Sequence, residues 1–318
     1  MRHFVDLFEL GQAEARELLD RATALKRDEA RGLRPALLAG RTLGLIFEKP
    51  SLRTRVSFEA AIAQLGGSAI FMHGKDVGLG SRESVADFAR VTSQYIDALA
   101  VRTFSHSLIE ELAQYATVPI INALSDWGHP CQAMADALTI EESLGNLAAR
   151  KLVFVGDGNN VARSVAQACA LLGLEFVLAC PTGYEFPAAF CTRFAQLYPN
   201  MPLTLVHDPR AAVSGADVVY TDVWASMGQE AEVDERRQAF APFRVDADLM
   251  SCAGSNAIFL HCLPAHRGEE VTGEVLDGPQ SRVIPQASNR LHFQKALLVW
   301  LLHGGWPEVL RRPLERSV

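Results

Sequence analysis

Residues 42–72 read TLGLIFEKPSLRTRVSFEAAIAQLGGSAIFM, and the pattern in this stretch decides the fold. Thr42 to Glu48 is a short apolar run suited to a buried strand, and Ser68 to Met72 is a second. Between them, Ser51 to Leu65 has helical period and opens on a serine, a good N-cap. Strand, helix, strand is the repeating unit of a parallel sheet covered by helices.

Working outward, the pattern continues. Upstream, Leu7, Leu10, Ala13, Leu18 and Leu19 fall near helical spacing and predict an amphipathic helix. Downstream, helices are predicted near Ser84 to Ser93 and Ser107 to Tyr115, with strands at Ala98 to Val101 and Val118 to Ile121. His129 to Leu144 reads as a long helix stopped by Gly145-Asn146. A fresh series of apolar runs then starts, at Leu152 to Val155, Phe176 to Ala179, Leu203 to Val206, Asp217 to Thr221 and Ala257 to Leu260. The expected fold is α/β: two doubly wound parallel-sheet domains with an active-site cleft between them. The expected domains are residues 1–146 and 147–318. A final apolar helix at 288–303 is expected to cross back and brace the first domain.

Composition limits what such a chain does. Its 318 residues are about twice an ordinary domain, and 49% apolar with 21% charged is globular rather than disordered. Thirty Lys and Arg against 37 Asp and Glu leave a net charge of -7, so no diffuse basic field exists for nucleic acid. Any anion must be caught locally. The six cysteines show no C-x-x-C pair, which speaks for reduced thiols in a cytoplasmic protein and against a structural zinc site. The acidic N-terminal stretch suits no signal or transit peptide, and the apolar run Ala296 to Leu302 is too short to span a membrane.

Seven motifs carry chemistry. Ser51-Leu52-Arg53-Thr54-Arg55 puts two hydroxyls and two guanidiniums at a helix start after a strand, which makes a phosphate cradle. It has no Gly-Lys-Ser/Thr ending, so it is not a nucleoside triphosphate loop. Alone, it reads equally as a capped helix with solvated arginines. Arg102, followed by Thr103, ends an apolar strand, where open α/β sheets bind ligands. His129-Pro130-Cys131-Gln132 places proline in the first turn of a helix, with His129 and Gln132 able to meet a carbonyl or amide.

Gly156-Asp157-Gly158-Asn159-Asn160-Val161 begins like a dinucleotide fingerprint, but Val161 replaces the third glycine and the acid expected after the next strand is missing. A nicotinamide dehydrogenase is therefore disfavoured, and Asn160 offers an amide for a carboxylate instead. Asp222, followed by Ser226 and Met227, can grip an α-amino group. His261-Cys262-Leu263-Pro264 sets a thiol at a strand end, where it is either a ligand group or a buried inert thiol. Asn289-Arg290 adds a guanidinium near the last helix.

Together these motifs resemble the ornithine carbamoyltransferase family over nearly the whole chain, in order. The resemblance implies a carbamoyl phosphate-binding domain followed by an ornithine-binding domain, and a homotrimer with active sites at subunit interfaces. It implies that Ser51, Leu52, Arg53, Thr54, Arg102, His129, Pro130, Cys131, Gln132, Cys262, Leu263 and Arg290 hold carbamoyl phosphate. Asn160, Asp222, Ser226 and Met227 would hold ornithine, and Arg102, His129 and Cys262 would take part in catalysis, with no cofactor and no metal.

Two positions depart from the family pattern. Leu52 stands where threonine is frequent, a small matter if that residue acts through its N–H. Gly78, in Asp76-Val77-Gly78-Leu79-Gly80, stands where the family carries a polar side chain that reaches the neighbouring subunit. Lys75, Ser81 or Arg82 is expected to supply the contact. The competing readings are a transcarbamoylase for an N-acylated ornithine or putrescine, which Asp222 opposes, and a non-catalytic binding protein on the same fold.

Overall fold

The computed structural model describes residues 1–78, 82–225 and 230–306. The chain forms two compact units, Met1–Met134 with Arg290–Val318, and Ala135–Asn289.

The first unit is built on β1 (Thr42–Phe47), β2 (Ser68–His73), β3 (Ala98–Arg102) and β4 (Ile120–Leu124). All pairings are parallel, in the order β2-β1-β3-β4. Helix α1 (Gln12–Ala30) precedes β1, the helices between the strands are α2 (Leu52–Gln64), α3 (Gly74–Val77), α4 (Val85–Thr92) and α5 (His106–Tyr115), and α6 (Pro130–Leu144) follows β4. Central β1 and β3 are buried along almost their whole length, whereas edge strand β2 alternates towards solvent. Ile46, Phe88, Leu99, Val101 and Ile109 pack in this unit's core.

In this unit the first helix and the last strand differ from the sequence expectation. Leu7 lies in a separate 3-10 turn, Leu7–Glu9, because Asp6 accepts the Phe8 amide and caps it before α1 begins. Strand β4 runs later than Val118 to Ile121. Pro119 has no amide for the ladder, and the N-terminal residue Phe4 pairs further along, its amide on the Ile120 carbonyl and its carbonyl accepting the Asn122 amide, each at 2.8 Å.

The second unit holds β5 (Lys151–Val155), β6 (Glu175–Ala179), β7 (Thr204–Val206), β8 (Val218–Thr221) and β9 (Ile258–His261), parallel in the order β7-β6-β5-β8-β9. Its helices are α7 (Asn160–Leu172), α8 (Ala188–Leu197), α9 (Pro209–Val213), α10 (Val233–Phe240), α11 (Ala247–Met250) and α12 (Gly273–Leu276). Val153, Val155, Val219, Phe240 and Phe259 pack in its core. The last helix, α13 (Val283–Leu302), begins earlier than residue 288. Pro285 falls in its first turn, where a missing N–H costs nothing. Asn289 consequently lies inside the helix, and its amide donates to Thr139 at 2.9 Å and Glu142 at 2.8 Å.

Both sheets reverse strand order once. In the first unit this happens between β1 and β3, where Phe47 registers with Arg102. In the second it happens between β5 and β8, where Val155 registers with Thr221. Parallel α/β sheets open a crevice beyond the carboxyl ends of the two strands at such a switch point. The loops leaving β1, β3, β5 and β8 are thus where ligands belong.

Candidate functional site

In the first unit, β1 runs into α2 through Ser51, whose extended backbone and hydroxyl cap the helix by accepting the Thr54 amide at 3.3 Å. Helix geometry leaves first-turn amides without carbonyl partners, so the positive end of α2 stands open beyond β1. Leu52 is 77% exposed, so the leucine in place of the family's threonine disturbs no packing. Thr54 is buried, and its hydroxyl accepts from the Arg290 guanidinium at 2.6 Å. Glu48 accepts from the Thr103 hydroxyl, and its amide donates to the Arg102 carbonyl at 2.8 Å, fixing the end of β3 beside the end of β1.

His129 precedes Pro130, the first residue of α6, and its carbonyl accepts the Gln132 amide at 3.0 Å. His129, Gln132, Arg102 and Arg290 are all buried. Burial first, then the Arg290 and Arg102 guanidiniums beside it, hold the His129 imidazole well below the usual histidine range. A neutral imidazole between two cations is a hydrogen-bond donor to a developing negative charge, not an acid. The Cys131 thiol donates to the Asn122 carbonyl at 3.6 Å, and burial pushes it up to about 12. It is an inert thiol.

In the second unit, Asn159 caps α7 by accepting the Val161 and Ala162 amides, and its own side-chain amide donates to Asp222 at 3.0 Å. Asn160 sits beside it, its carbonyl oxygen accepting the Val161 amide at 3.0 Å. The other oxygen of Asp222 accepts from Cys262 Sγ at 3.0 Å and from the Val223 amide at 2.9 Å. Leu263 has a left-handed backbone, φ 59°, steadied by its amide donating to His261 Nδ1 at 2.8 Å. That bond leaves the His261 proton on Nε2, facing the buried Glu270 at 3.2 Å.

Of the glycines that imitate a dinucleotide fingerprint, Gly158 has a packing reason. A Cβ on Gly158 would sit 2.7 Å from the backbone carbon of Glu185. Gly78 is also explained by backbone, at φ 62°, which favours glycine. Ser226, Met227 and Ser81, and the Lys75 side chain, lie outside the described residues.

Of the sequence candidates, the first unit brings Ser51, Arg53 and Thr54 onto one helix start, Arg290 onto Thr54, and Arg102 with Arg290 beside His129. The second unit joins Asp222 to Cys262. Sequence reasoning missed Asn159, which holds Asp222, although its place before a helical run was a capping signal. It also missed Arg236, which is buried and pairs with Asp157 at 2.7 Å while donating to the Trp224 carbonyl at 3.0 Å. An arginine inside a charged helical stretch carries no signal of burial. Asp222, His261 and Cys262 also present ligand atoms within 4.8 Å of one another. Their hydrogen bonds to Asn159, Leu263 and Glu270 account for that closeness.

Comparison with known proteins identifies the family and the fold. Residues 2–142 match the family model for the aspartate/ornithine carbamoyltransferase carbamoyl-P binding domain, and residues 148–301 match that for the Asp/Orn binding domain. The chain is 51% identical to the ornithine carbamoyltransferase of Desulfotalea psychrophila over 93% of its own length and 97% of that protein. It is 50% identical to that of Bacillus subtilis, over 96% of this chain and 95% of the relative. The solved ornithine carbamoyltransferase of Pyrococcus furiosus superposes with a TM-score of 0.92 at 49% identity, covering 96% of this chain and 98% of that one. A solved acetylornithine transcarbamylase complexed with acetylcitrulline superposes at 0.85 but is 32% identical, covering 95% and 99%. On these grounds the chain belongs to the aspartate/ornithine carbamoyltransferase family, alongside its ornithine carbamoyltransferases.

Proposed function

We propose that this protein transfers the carbamoyl group of carbamoyl phosphate to the δ-amine of L-ornithine, giving L-citrulline and phosphate, a step of arginine biosynthesis. The observation that carries this reading is the buried Arg290 guanidinium donating at 2.6 Å to Thr54 in the capped first turn of α2, with buried Arg102 and His129 in the same unit. That group suits an anionic acyl donor whose carbonyl becomes an oxyanion.

In this reading, the phosphate lies on Ser51, Arg53, Thr54 and the Leu52 amide, and the carbamoyl oxygen on Arg102, His129 and Thr54. Asp222 and Asn160 hold the α-amino and α-carboxylate groups of ornithine, with Ser226 and Met227. Cys262, Leu263 and Arg290 complete the site. The uncharged δ-amine attacks the carbamoyl carbon, the carbon–oxygen bond to phosphate breaks, and the departing phosphate takes the amine proton. Donors fixed on the developing oxyanion lower the barrier most, and holding both substrates in place lowers it further.

Carbamoyl phosphate binding is assigned to residues 1–146 together with Arg290 of the last helix, and ornithine binding to the rest of 147–318. A homotrimer is the proposed assembly. It is supported by exposed Leu52 and Val56 on α2 and Ile70 on edge strand β2, apolar groups that a neighbouring subunit would cover. A cytoplasmic location is supported by six free cysteines. No helix among the described residues is long and apolar enough to cross a membrane.

The test is citrulline formation from ornithine, with N-acetylornithine, putrescine and aspartate assayed beside it. Turnover on ornithine well above the others is expected. Turnover on another amine in its place, or none on any, overturns the reading.

A further inference from the structure

We infer that Asp136 is a positioning residue for the transfer, its carboxylate acting through Gln286 and Tyr220 to fix the peptide that leads into Cys262. This rests on the function proposed above.

Asp136, Tyr220, His261 and Gln286 are each no more than 1% exposed. The Gln286 side-chain amide donates to Asp136 at 2.7 Å and to the Tyr220 hydroxyl at 3.2 Å. The Gln286 carbonyl accepts the backbone amide of His261 at 2.9 Å. Tyr220 also hydrogen-bonds Asp136, and burial followed by that carboxylate raises its phenol well above the ordinary value, so the phenol stays a donor. With the amide nitrogen of Gln286 committed to Asp136 and Tyr220, its carbonyl oxygen is the end that faces the His261 N–H. Turning that amide over would set a donor against the His261 N–H and an oxygen against the carboxylate. The orientation of Gln286, and through it the His261 amide, is thereby decided.

Strand β9 ends its sheet, so its outer amides find partners beyond the ladder. The Phe259 amide goes to the Gln280 carbonyl at 2.9 Å, and Gln286 serves His261 in the same way. The four members also stand close in sequence to the motifs. Asp136 lies one helical turn after Gln132 on α6, and Gln286 one turn before Arg290 on α13. Tyr220 is two residues before Asp222, and His261 directly precedes Cys262. One buried acid therefore holds the ends of β8 and β9, which carry Asp222 and Cys262. A buried charge is costly, and apolar side chains would fill the same volume more cheaply if stability were the whole purpose.

The experiment compares wild type with Asp136→Asn and Tyr220→Phe, with melting temperature, kcat and KM for both substrates, and amide hydrogen exchange across residues 258–264. Displacing a positioned group costs on the order of 10- to 100-fold in rate. Asp136→Asn is expected to lose kcat by that factor and Tyr220→Phe by a few-fold. Both should exchange the His261 amide faster at temperatures well below melting, while KM for carbamoyl phosphate stays within about twofold. If Asp136→Asn does not fold, Tyr220→Phe decides the matter alone. Folded variants with wild-type kcat, or slowed only as far as their unfolded fraction explains, overturn the inference. A wild type that forms no citrulline overturns the proposed function instead, and the exchange measurement then still reports whether the network holds His261.

Discussion

The thiol of Cys262 donates to the carboxylate of Asp222 at 3.0 Å, joining the ends of two adjacent strands. The same carboxylate is held on its other side by Asn159. The thiol proton is committed to that carboxylate, which suits Cys262 to orienting a neighbouring group. Cys262 therefore positions the amine rather than forming a bond to the carbamoyl carbon. Cys262→Ser keeps the donor and is expected to retain measurable turnover, whereas Cys262→Ala, which removes it, should lose about 10- to 100-fold, the value of a hydrogen bond to a charged group. A carbamoyl-thioester on Cys262, sought by rapid quench and mass spectrometry, would contradict this.

His129 gives a prediction in pH. Its folded affinity for a proton lies well below the ordinary histidine value, while the unfolded chain takes up that proton near about 6.5. The stability associated with the neutral ring is complete above that pH and is lost progressively as pH falls below it. Denaturant midpoints measured between pH 8 and pH 5 should fall more steeply for wild type than for His129→Gln. The kcat profile should show no inflection that vanishes in His129→Gln. His129→Ala, lacking the donor, should lose kcat by about 10²- to 10³-fold.

Most of the strands, and the motifs at their ends, were legible because buried parallel strands are short apolar runs and ligand groups gather where those runs stop. Ser51 as a cap and Arg102 as a strand-end cation follow from that rule alone. What lay beyond it depends on pairing across long sequence separation. Nothing near Thr54 indicates that Arg290 donates to it, and nothing near Phe4 indicates that it lengthens β4. Asn159 and Asn160 are chemically identical in the sequence; only the backbone at the start of α7 assigns one to the cap and Asp222. Pro285 was compatible with a helix start, but apolar period alone began α13 too late.

Thiol reactivity should sort by burial. Cys131 and Cys180 are pushed up to about 12, and burial raises Cys169 as well, so none offers a thiolate near neutral pH. Cys191, Cys252 and Cys262 are only partly buried, although burial raises Cys191 as well. Iodoacetamide treatment of the native protein at pH 7.5, followed by peptide mapping, should label members of the second set and spare the first. Ornithine should slow labelling at Cys262 and leave Cys252 unaffected. Fast labelling of Cys131 in folded protein would show that its helix start opens more readily than its packing implies.

Gly158 separates two explanations of the same motif. In a dinucleotide site a glycine here admits a pyrophosphate; in this chain its added Cβ would meet the Glu185 backbone at 2.7 Å, while its amide already donates to the Tyr184 carbonyl at 2.9 Å. The clash is with main chain, which yields less than a side chain. Gly158→Ala is expected to cost about 1–3 kcal/mol, seen as a melting temperature lower by roughly 3–10 °C. The turn it displaces carries Asn159, the group that holds Asp222, so KM for ornithine should rise with the loss of stability. KM for carbamoyl phosphate should not follow. An alanine variant with wild-type melting and a weakened carbamoyl phosphate KM would place the glycine at the anion instead of at the packed turn.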